Sequence, residues 1–256
     1  MSVTIGILHP GEMGAAVGAA FVDLGHTVLW ATEERSAATR ERARHAGLRP
    51  VGDIDALLTR SDIVLSICPP DAALDVARRA SGFTGVYVDA NAIAPATALR
   101  VAEIVGAGAV DGGIIGPPPT RAGTTRLYLS GARATEVATA IADARIEPRV
   151  LGEGGPTAAS ALKMTYAAWT KGSAALLLAI DGAARAEGVA DALAAERALS
   201  TPELADRLAA AQRAADAKGW RWEGEMRQIA ITLLGAGQPG GFHEGAATIY
   251  ARFPRS

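Results

Sequence analysis

Residues Val3 to Leu24 read VTIGILHPGEMGAAVGAAFVDL, and the rest of the chain is organised around them. The apolar run Val3–Leu8 has strand character, breaks at His9-Pro10-Gly11 and passes into a small-residue helix carrying Gly14 and Gly18. A strand, a tight turn and a helix N-terminus favour a phosphate at the turn. First-turn amides lack intrahelical partners, the helix dipole is positive there, and glycine admits a diphosphate close to the backbone. Gly11 and Gly14 occupy the second and third places of a dinucleotide fingerprint, Gly14 allowing helix and strand to pack closely. His9, followed by Pro10, stands where the first glycine belongs, so an ordinary glycine-bearing βα turn stays open as the alternative. No Gly-Lys-Ser/Thr follows, which excludes a P-loop.

Working outward, strand and helix alternate. His26–Ala31 reads as a second strand, Ser36–His45 as a helix ended by Gly47, and Arg49–Val51 as a short extended run. Asp53 is placed to cap a helix over Ile54–Thr59. Asp62–Cys68 is a continuous apolar strand of the kind buried on both faces of a parallel sheet, stopped by Pro69-Pro70-Asp71, where another helix starts. Gly85–Asp89 repeats the strand, Pro95–Val105 the helix, and Gly108–Asp111 a further strand. Arg126–Ser130 and Arg149–Leu151 read as closing strands around a helix over Ala134–Ala144. This is the pattern of a doubly wound (Rossmann) α/β domain, whose ligands bind beyond the carboxyl ends of the strands. At Gly152–Pro156 the pattern changes, and a single alanine-rich helix is expected from Thr157 to about Glu187. Ser200-Thr201-Pro202-Glu203 reads as a capped helix start, and helices over 202–218, 223–234 and 243–252 complete an all-α half. The expected domains are 1–153 and 154–256, joined by the long interdomain helix.

Composition narrows the partners. With a net charge of −2 and no basic run interleaved with aromatics, nucleic acid is not an expected partner. The single cysteine, Cys68, excludes an internal disulfide, lies in a strand expected to be buried, and fits a reducing compartment. The chain enters its first strand without a basic, apolar and cleavable leader, and a cytoplasmic location is expected. Met164–Ile180 is the most apolar stretch, but Lys171 and Gly172 leave its unbroken part well short of the ~20 residues of a membrane span. No membrane partner and no metal are expected. Only three of the 25 basic residues are lysines, and two of them, Lys163 and Lys171, stand in this apolar helix, which makes the choice of lysine there informative.

The motifs, taken in order, resemble the β-hydroxyacid dehydrogenase superfamily, which includes 6-phosphogluconate and 3-hydroxyisobutyrate dehydrogenases and, as a divergent branch, imine reductases. The resemblance spans nearly the whole chain. Gly11-Glu12-Met13-Gly14, Asp89–Pro95, Asp111–Gly116 and Gly155–Lys163 carry it. The C-terminal pattern Trp222, Glu225-Met226, Gly237-Gln238-Pro239 and Phe242-His243 resembles the poorly characterised dehydrogenase-like branch. The resemblance implies that Lys163 is the general acid/base at the start of the interdomain helix and that Asp111–Gly116 corresponds to the substrate-binding loop, with Ile115, Gly116 and Pro117 as substrate-binding residues. Tyr166, one turn on, shares the face of Lys163 and is a candidate to bond substrate or to pack in the core. Glu225, as a substrate-binding candidate, and His243, as a catalytic candidate or else a structural cap at a helix start, lie in the half that closes over the nicotinamide from a partner subunit in this superfamily. His26 and His45 read as surface or turn residues.

Three departures bear on substrate. Ile115-Gly116-Pro117 replaces the usual serine-glycine-glycine, Ala167 stands where the superfamily has an asparagine, and its later lysine-aspartate pair is not evident. The cofactor residues expected are His9, Pro10, Gly11, Glu12, Met13 and Gly14, the β2-end residues Thr32, Arg35 and Ser36, then Cys68, Pro69, Pro70 and Asn91. Asn91 reads either as a ribose or substrate ligand or as a turn cap. Ala31 occupies the acidic place an NAD-type enzyme wants, and Thr32, Arg35 and Ser36 follow it, favouring NADP. Glu33 and Glu34 keep NAD possible. The expected activity is hydride transfer between NADP and a small hydroxy acid or carbonyl compound. An imine reductase and a non-catalytic nucleotide-binding protein are the alternatives. The small residues of the long helix, which needs a partner to cover it, imply a homodimer.

Overall fold

In the computed structural model, which describes residues 2–254, the alternation closes into one eight-stranded sheet of order β3-β2-β1-β4-β5-β6-β7-β8. The elements are β1 (Thr4–Ile7), α1 (Glu12–Val22), β2 (Thr27–Ala31), α2 (Ala37–His45), β3 (Arg49–Val51), α3 (Ile54–Arg60) and β4 (Ile63–Ser66). They continue through α4 (Ala73–Arg79), β5 (Val86–Asp89), α5 (Pro95–Val105), β6 (Ala109–Ile115), β7 (Thr125–Ser130), α6 (Ala134–Ala140) and β8 (Ile146–Val150). β1 to β6 run parallel, β7 is antiparallel to β6, and β8 is parallel to β7.

The two-residue strand period sorts the core into two layers. Ile5, Ile7, Val28, Trp30, Ile63, Leu65, Val86 and Val88 pack with Val17, Phe21, Ala43 and Val137, under α1, α2 and α6. Leu29, Val64 and Tyr87 face the other way, onto Leu57 of α3, Val76 and Ala77 of α4, and Val101 of α5. Helices therefore cover both faces of a mostly parallel sheet, the doubly wound arrangement in which the first six strands take the order 3-2-1-4-5-6.

β6 runs four residues beyond the expected end at Asp111. The glycines that resemble a turn are there for close approach instead. A Cβ on Gly112 would lie 2.9 Å from the Asp89 carbonyl oxygen, and one on Gly113 2.7 Å from that of Ala159. Pro148 sits in β8 at the edge of the sheet, where its missing N–H costs no ladder bond. His26, expected at the surface, is buried: its Nδ1 accepts from the Val3 N–H (3.2 Å), and its Nε2–H donates to the Ala140 carbonyl (2.8 Å), tying the end of α6 to the first two strands.

The chain divides into two compact units, one ending at Lys163 and one beginning at Met164. The long helix α7 (Ala158–Ala186) starts in the first and is 29 residues, about 44 Å at 1.5 Å per residue. The second unit continues with α8 (Ala190–Ser200), α9 (Glu203–Lys218), α10 (Trp222–Gly235) and α11 (Gly241–Tyr250). α8 has no counterpart in the sequence reading. Gly188, at φ +70°, breaks the helical run, and α8 follows without a side-chain cap to announce it. Ser200 consequently belongs to the end of α8, its hydroxyl bonding Glu196, and does not cap α9.

Candidate functional site

The turn between β1 and α1 is built by two glycines with different jobs. Gly11 begins α1 in an extended conformation, and its N–H bonds the His9 carbonyl at 2.8 Å. A Cβ on Gly11 would meet nothing within 4 Å, leaving open space before the helix's first-turn amides. A Cβ on Gly14 would lie 2.2 Å from the His9 carbonyl oxygen, so only glycine lets α1 approach β1 this closely. An open cradle before a helix N-terminus, backed by a tight glycine contact, fits a dinucleotide diphosphate. Pro10 is buried, Met13 packs against the core under α1, and Glu12 lies exposed in the first turn. His9 is held neutral: burial, then the charges of Arg35 and Arg79, lower its pKa to about 4. Its Nδ1 is buried with no hydrogen-bond partner among the described residues.

At the end of β2, most of the polar groups expected to recognise a ribose or phosphate are already engaged. Thr32 Oγ1 donates to the Val51 and Gly52 carbonyls (3.0 and 3.2 Å), and Ser36 Oγ caps α2 by accepting from the Thr39 N–H (3.2 Å). Arg35 turns back over β1, its Nη2 donating to the Leu8 carbonyl at 3.4 Å. Arg40 secures the loop through the Thr32 and Arg35 carbonyls (2.9 and 3.2 Å). Glu34 supports the turn at φ +54°, the one non-glycine at positive φ among the described residues. Arg79, from the last turn of α4, pairs with Glu33 at 3.2 Å.

Asn91 latches the ends of β4 and β5 together. Its Oδ1 accepts from the Cys68 N–H (2.6 Å), and its Nδ2 donates to Ser66 Oγ (3.1 Å) and Asp89 Oδ2 (2.9 Å). Its backbone N–H also bonds Asp89 Oδ1 at 3.1 Å. These bonds shape the loop that follows β5. Burial raises the Asp89 pKa to about 7 and pushes the Cys68 thiol up to about 12, leaving the latter an inert thiol. Pro69 is exposed, and Pro70 opens a short 3-10 turn that leads into α4.

The start of α7 is fastened to the sheet by a buried carboxylate. Asp111 Oδ2 accepts from the Ser160 N–H (2.8 Å) and the Ser130 hydroxyl (2.9 Å), and Oδ1 accepts the Ser160 hydroxyl. Ser130 Oγ in turn accepts from the Ala159 N–H at 3.0 Å. Two of the first amides of α7 are satisfied this way, and burial, the largest influence on it, raises the Asp111 pKa. One turn later Lys163 passes over β6: a Cβ on Gly113 would lie 3.1 Å from Lys163 Cβ. Asp111 pairs with Asp89, the last residue of β5, so Gly113 to Ile115 project past the carboxyl edge of that strand. Lys163 is therefore lodged at the edge of the sheet where the glycine turn also lies. Beyond it Ile115 is buried, Gly116 takes φ +131° with the Thr124 carbonyl 2.4 Å from a Cβ position, and Pro117 is exposed.

The remaining site candidates belong to the helical unit. Glu225 is buried and ion-pairs with Lys171, whose Nζ lies 5.3 Å from the Trp222 ring centroid. The Tyr250 hydroxyl donates to the Lys171 carbonyl at 2.7 Å. His243 bonds the Ala168 carbonyl through Nε2 (3.2 Å) and packs where a Cβ on Gly172 would come within 2.7 Å. Glu225 and His243 are thus brought together around the middle turns of α7, while Tyr166 is 48% exposed. Sequence reasoning missed the Lys171–Glu225 pair and the roles of Asp111, Ser130, Ser160 and Arg79. The rarity of lysine signalled only the first. Among the described residues no group of three His, Cys, Asp or Glu is placed to hold a metal, and no helix is long and apolar enough to cross a membrane.

Fold and site define a Rossmann-type α/β protein extended by a helical unit, with a lysine carried on the connecting helix. The chain belongs to one family with an uncharacterised protein of Methanothermus fervidus and has the fold of the 3-hydroxyacid dehydrogenases. It is 30% identical over 191 residues to an uncharacterised 28.5 kDa protein from Methanothermus fervidus, the match covering 74% of each. A family profile described as a domain of unknown function, DUF1932, matches residues 184–253. Among solved structures, a conserved protein of unknown function reported as similar to 3-hydroxyacid dehydrogenases shares 26% identity, with 97% and 95% of the two chains covered and a TM-score of 0.70. The 3-hydroxyisobutyrate dehydrogenase of Mycobacterium tuberculosis, solved with L-serine, shares the fold at 18% identity (98% and 94% covered, TM-score 0.71). So does an Aspergillus terreus reductive aminase solved with NADPH and ethyl levulinate, at 18% identity (98% and 93% covered, TM-score 0.60).

Proposed function

We propose that the protein is an NADP-dependent oxidoreductase that moves hydride between the nicotinamide and a carbon of a small hydroxy acid or carbonyl compound, with Lys163 as general acid/base. The observation that carries this reading is the lodging of Lys163 over Gly113, on the strand segment that projects past the ligand-binding edge of the sheet. The bound nicotinamide supplies the hydride acceptor or donor. The turn from His9 to Gly14 would hold the diphosphate, the loop from Thr32 to Ser36 the adenosine ribose, and the Cys68–Pro70 and Asn91 loops the approach to the nicotinamide. As hydride leaves an alcohol carbon, Lys163 Nζ takes the hydroxyl proton; in the reverse direction it returns a proton to the carbonyl oxygen. Tyr166 is positioned one turn on to bond substrate, whereas we assign Glu225 and His243 to the frame of the helical unit on the bonds described above.

NADPH is expected to bind with a dissociation constant in the low micromolar range or below, read from nicotinamide fluorescence. Absence of binding by both NADPH and NADH would remove the dinucleotide reading. A second activity is favoured by one observation: Ile115, Gly116 and Pro117 present no side-chain hydroxyl or amide to grip a carboxylate. That suits a ketone or an imine better than a hydroxy acid, and assays of all three with NADPH separate them. Cofactor binding without turnover of any of them would favour a non-catalytic nucleotide-binding protein.

We also propose a cytoplasmic homodimer. The helical unit exposes Trp169 (68%), Leu199 (83%), Leu234 (57%) and Phe242 (53%), with Leu176 and Ile180 further along α7. Sedimentation is expected to show a species of twice the 26.1 kDa chain mass, and a lone monomer at micromolar concentration would overturn this assembly.

A further inference from the structure

The loop after β2 holds less free recognition chemistry than its sequence suggests. The Thr32 and Ser36 hydroxyls are committed to the Val51 and Gly52 carbonyls and to the α2 cap. Arg40 is committed to loop carbonyls, and Arg35 is turned toward the Leu8 carbonyl. Arg79 differs from all of them. It arrives from another helix, its side chain is 50% exposed, and its hydrogen-bond partner is Glu33, itself 48% exposed. A pair this open to solvent contributes little to stability and exchanges readily for a better anion.

We propose that Arg79 is the accessible cation that receives the 2′-phosphate of NADP, and that Glu33 is an internal stand-in that the phosphate displaces. This rests on the dinucleotide reading above and adds to it a specificity residue that lies outside the β2–α2 loop. A phosphomonoester dianion offers Arg79 two charge-assisted hydrogen bonds in the guanidinium's fork geometry, where Glu33 is bonded through one oxygen. Arg35, close enough to be influenced by Arg79, supplies a second positive charge behind it. An unphosphorylated ribose leaves the Arg79–Glu33 pair intact. Discrimination between the two cofactors then resides in this exchange.

The test is equilibrium binding, by fluorescence or calorimetry, of NADPH, NADH, adenosine 2′,5′-bisphosphate and adenosine 5′-monophosphate. Arg79→Ala is expected to weaken NADPH and the bisphosphate by roughly tenfold or more, the value of a charge-assisted bond to phosphate, and to leave NADH and the monophosphate within about twofold. Glu33→Gln is expected to tighten only the two 2′-phosphorylated ligands, by roughly threefold, the scale of an exposed ion pair, and this gain should vanish in an Arg79→Ala background. If wild type binds NADPH but Arg79→Ala affects all four ligands equally, or none, the assignment of Arg79 is overturned while the dinucleotide reading stands. If wild type binds none of the four, both fall.

Discussion

Replacing Lys163 with alanine is expected to lower turnover by about 10²–10⁴-fold, the contribution of a positioned general acid/base, while NADPH affinity stays within about threefold. The separation follows from structure. The first turn of α7 is held by Asp111 through Ser160 and by Ser130 through Ala159, bonds that truncation of Lys163 leaves in place. Alanine is also the residue best suited to a helix. Lys163→Arg should not restore the rate in either direction, because a guanidinium holds its proton at any pH the fold tolerates and neither takes up the hydroxyl proton nor gives one readily to the carbonyl oxygen. Single-turnover rates with saturating NADPH, beside a fluorescence titration, give both quantities. An alanine variant that retains the wild-type rate would remove Lys163 from the chemistry.

The two glycines of the first turn should fail in different ways. Gly14→Ala sets a methyl group 2.2 Å from the His9 carbonyl oxygen, and backbone cannot swing aside as a side chain would. Forcing α1 from β1 is expected to cost about 1–3 kcal/mol in urea unfolding, the range for overpacking a tight site, and to abolish cofactor binding with it. Gly11→Ala meets nothing within 4 Å, at φ −66° and ψ −168°, a conformation alanine accepts. Its unfolding midpoint should not fall, yet its methyl group occupies the space where the diphosphate belongs, and NADPH should weaken by tenfold or more. Equal unfolding midpoints for the two variants would contradict the contact at Gly14. Undiminished binding by Gly11→Ala would mean that no phosphate occupies the cradle.

Much of this architecture is legible because its punctuation is local. Asp53 caps α3 as its position before an apolar run implies, its carboxylate accepting from the Ala56 N–H, and α5 starts on Pro95 and ends before Gly106. The strand at β4 was readable from an unbroken apolar run. What stayed hidden depends on partners far along the chain. Gly112 and Gly113 resemble a turn until Asp89, Ala159 and Lys163 are seen packed against them. His26 resembles a loop histidine until the Ala140 carbonyl, 114 residues away, reaches it. In the candidate site, the glycine turn and Lys163 were named from local pattern and resemblance. The employment of Thr32 and Ser36 in internal bonds was invisible, because a sequence shows which groups can bond but not which have already done so.

The residues described here that seat the beginning of α7, namely Asp111, Gly113, Ser130 and Ser160, all precede Lys163 in the polypeptide. The amine proposed to handle the proton is therefore moored by residues encoded upstream of it. Substitutions downstream, in the portion the DUF1932 profile covers, touch none of these moorings.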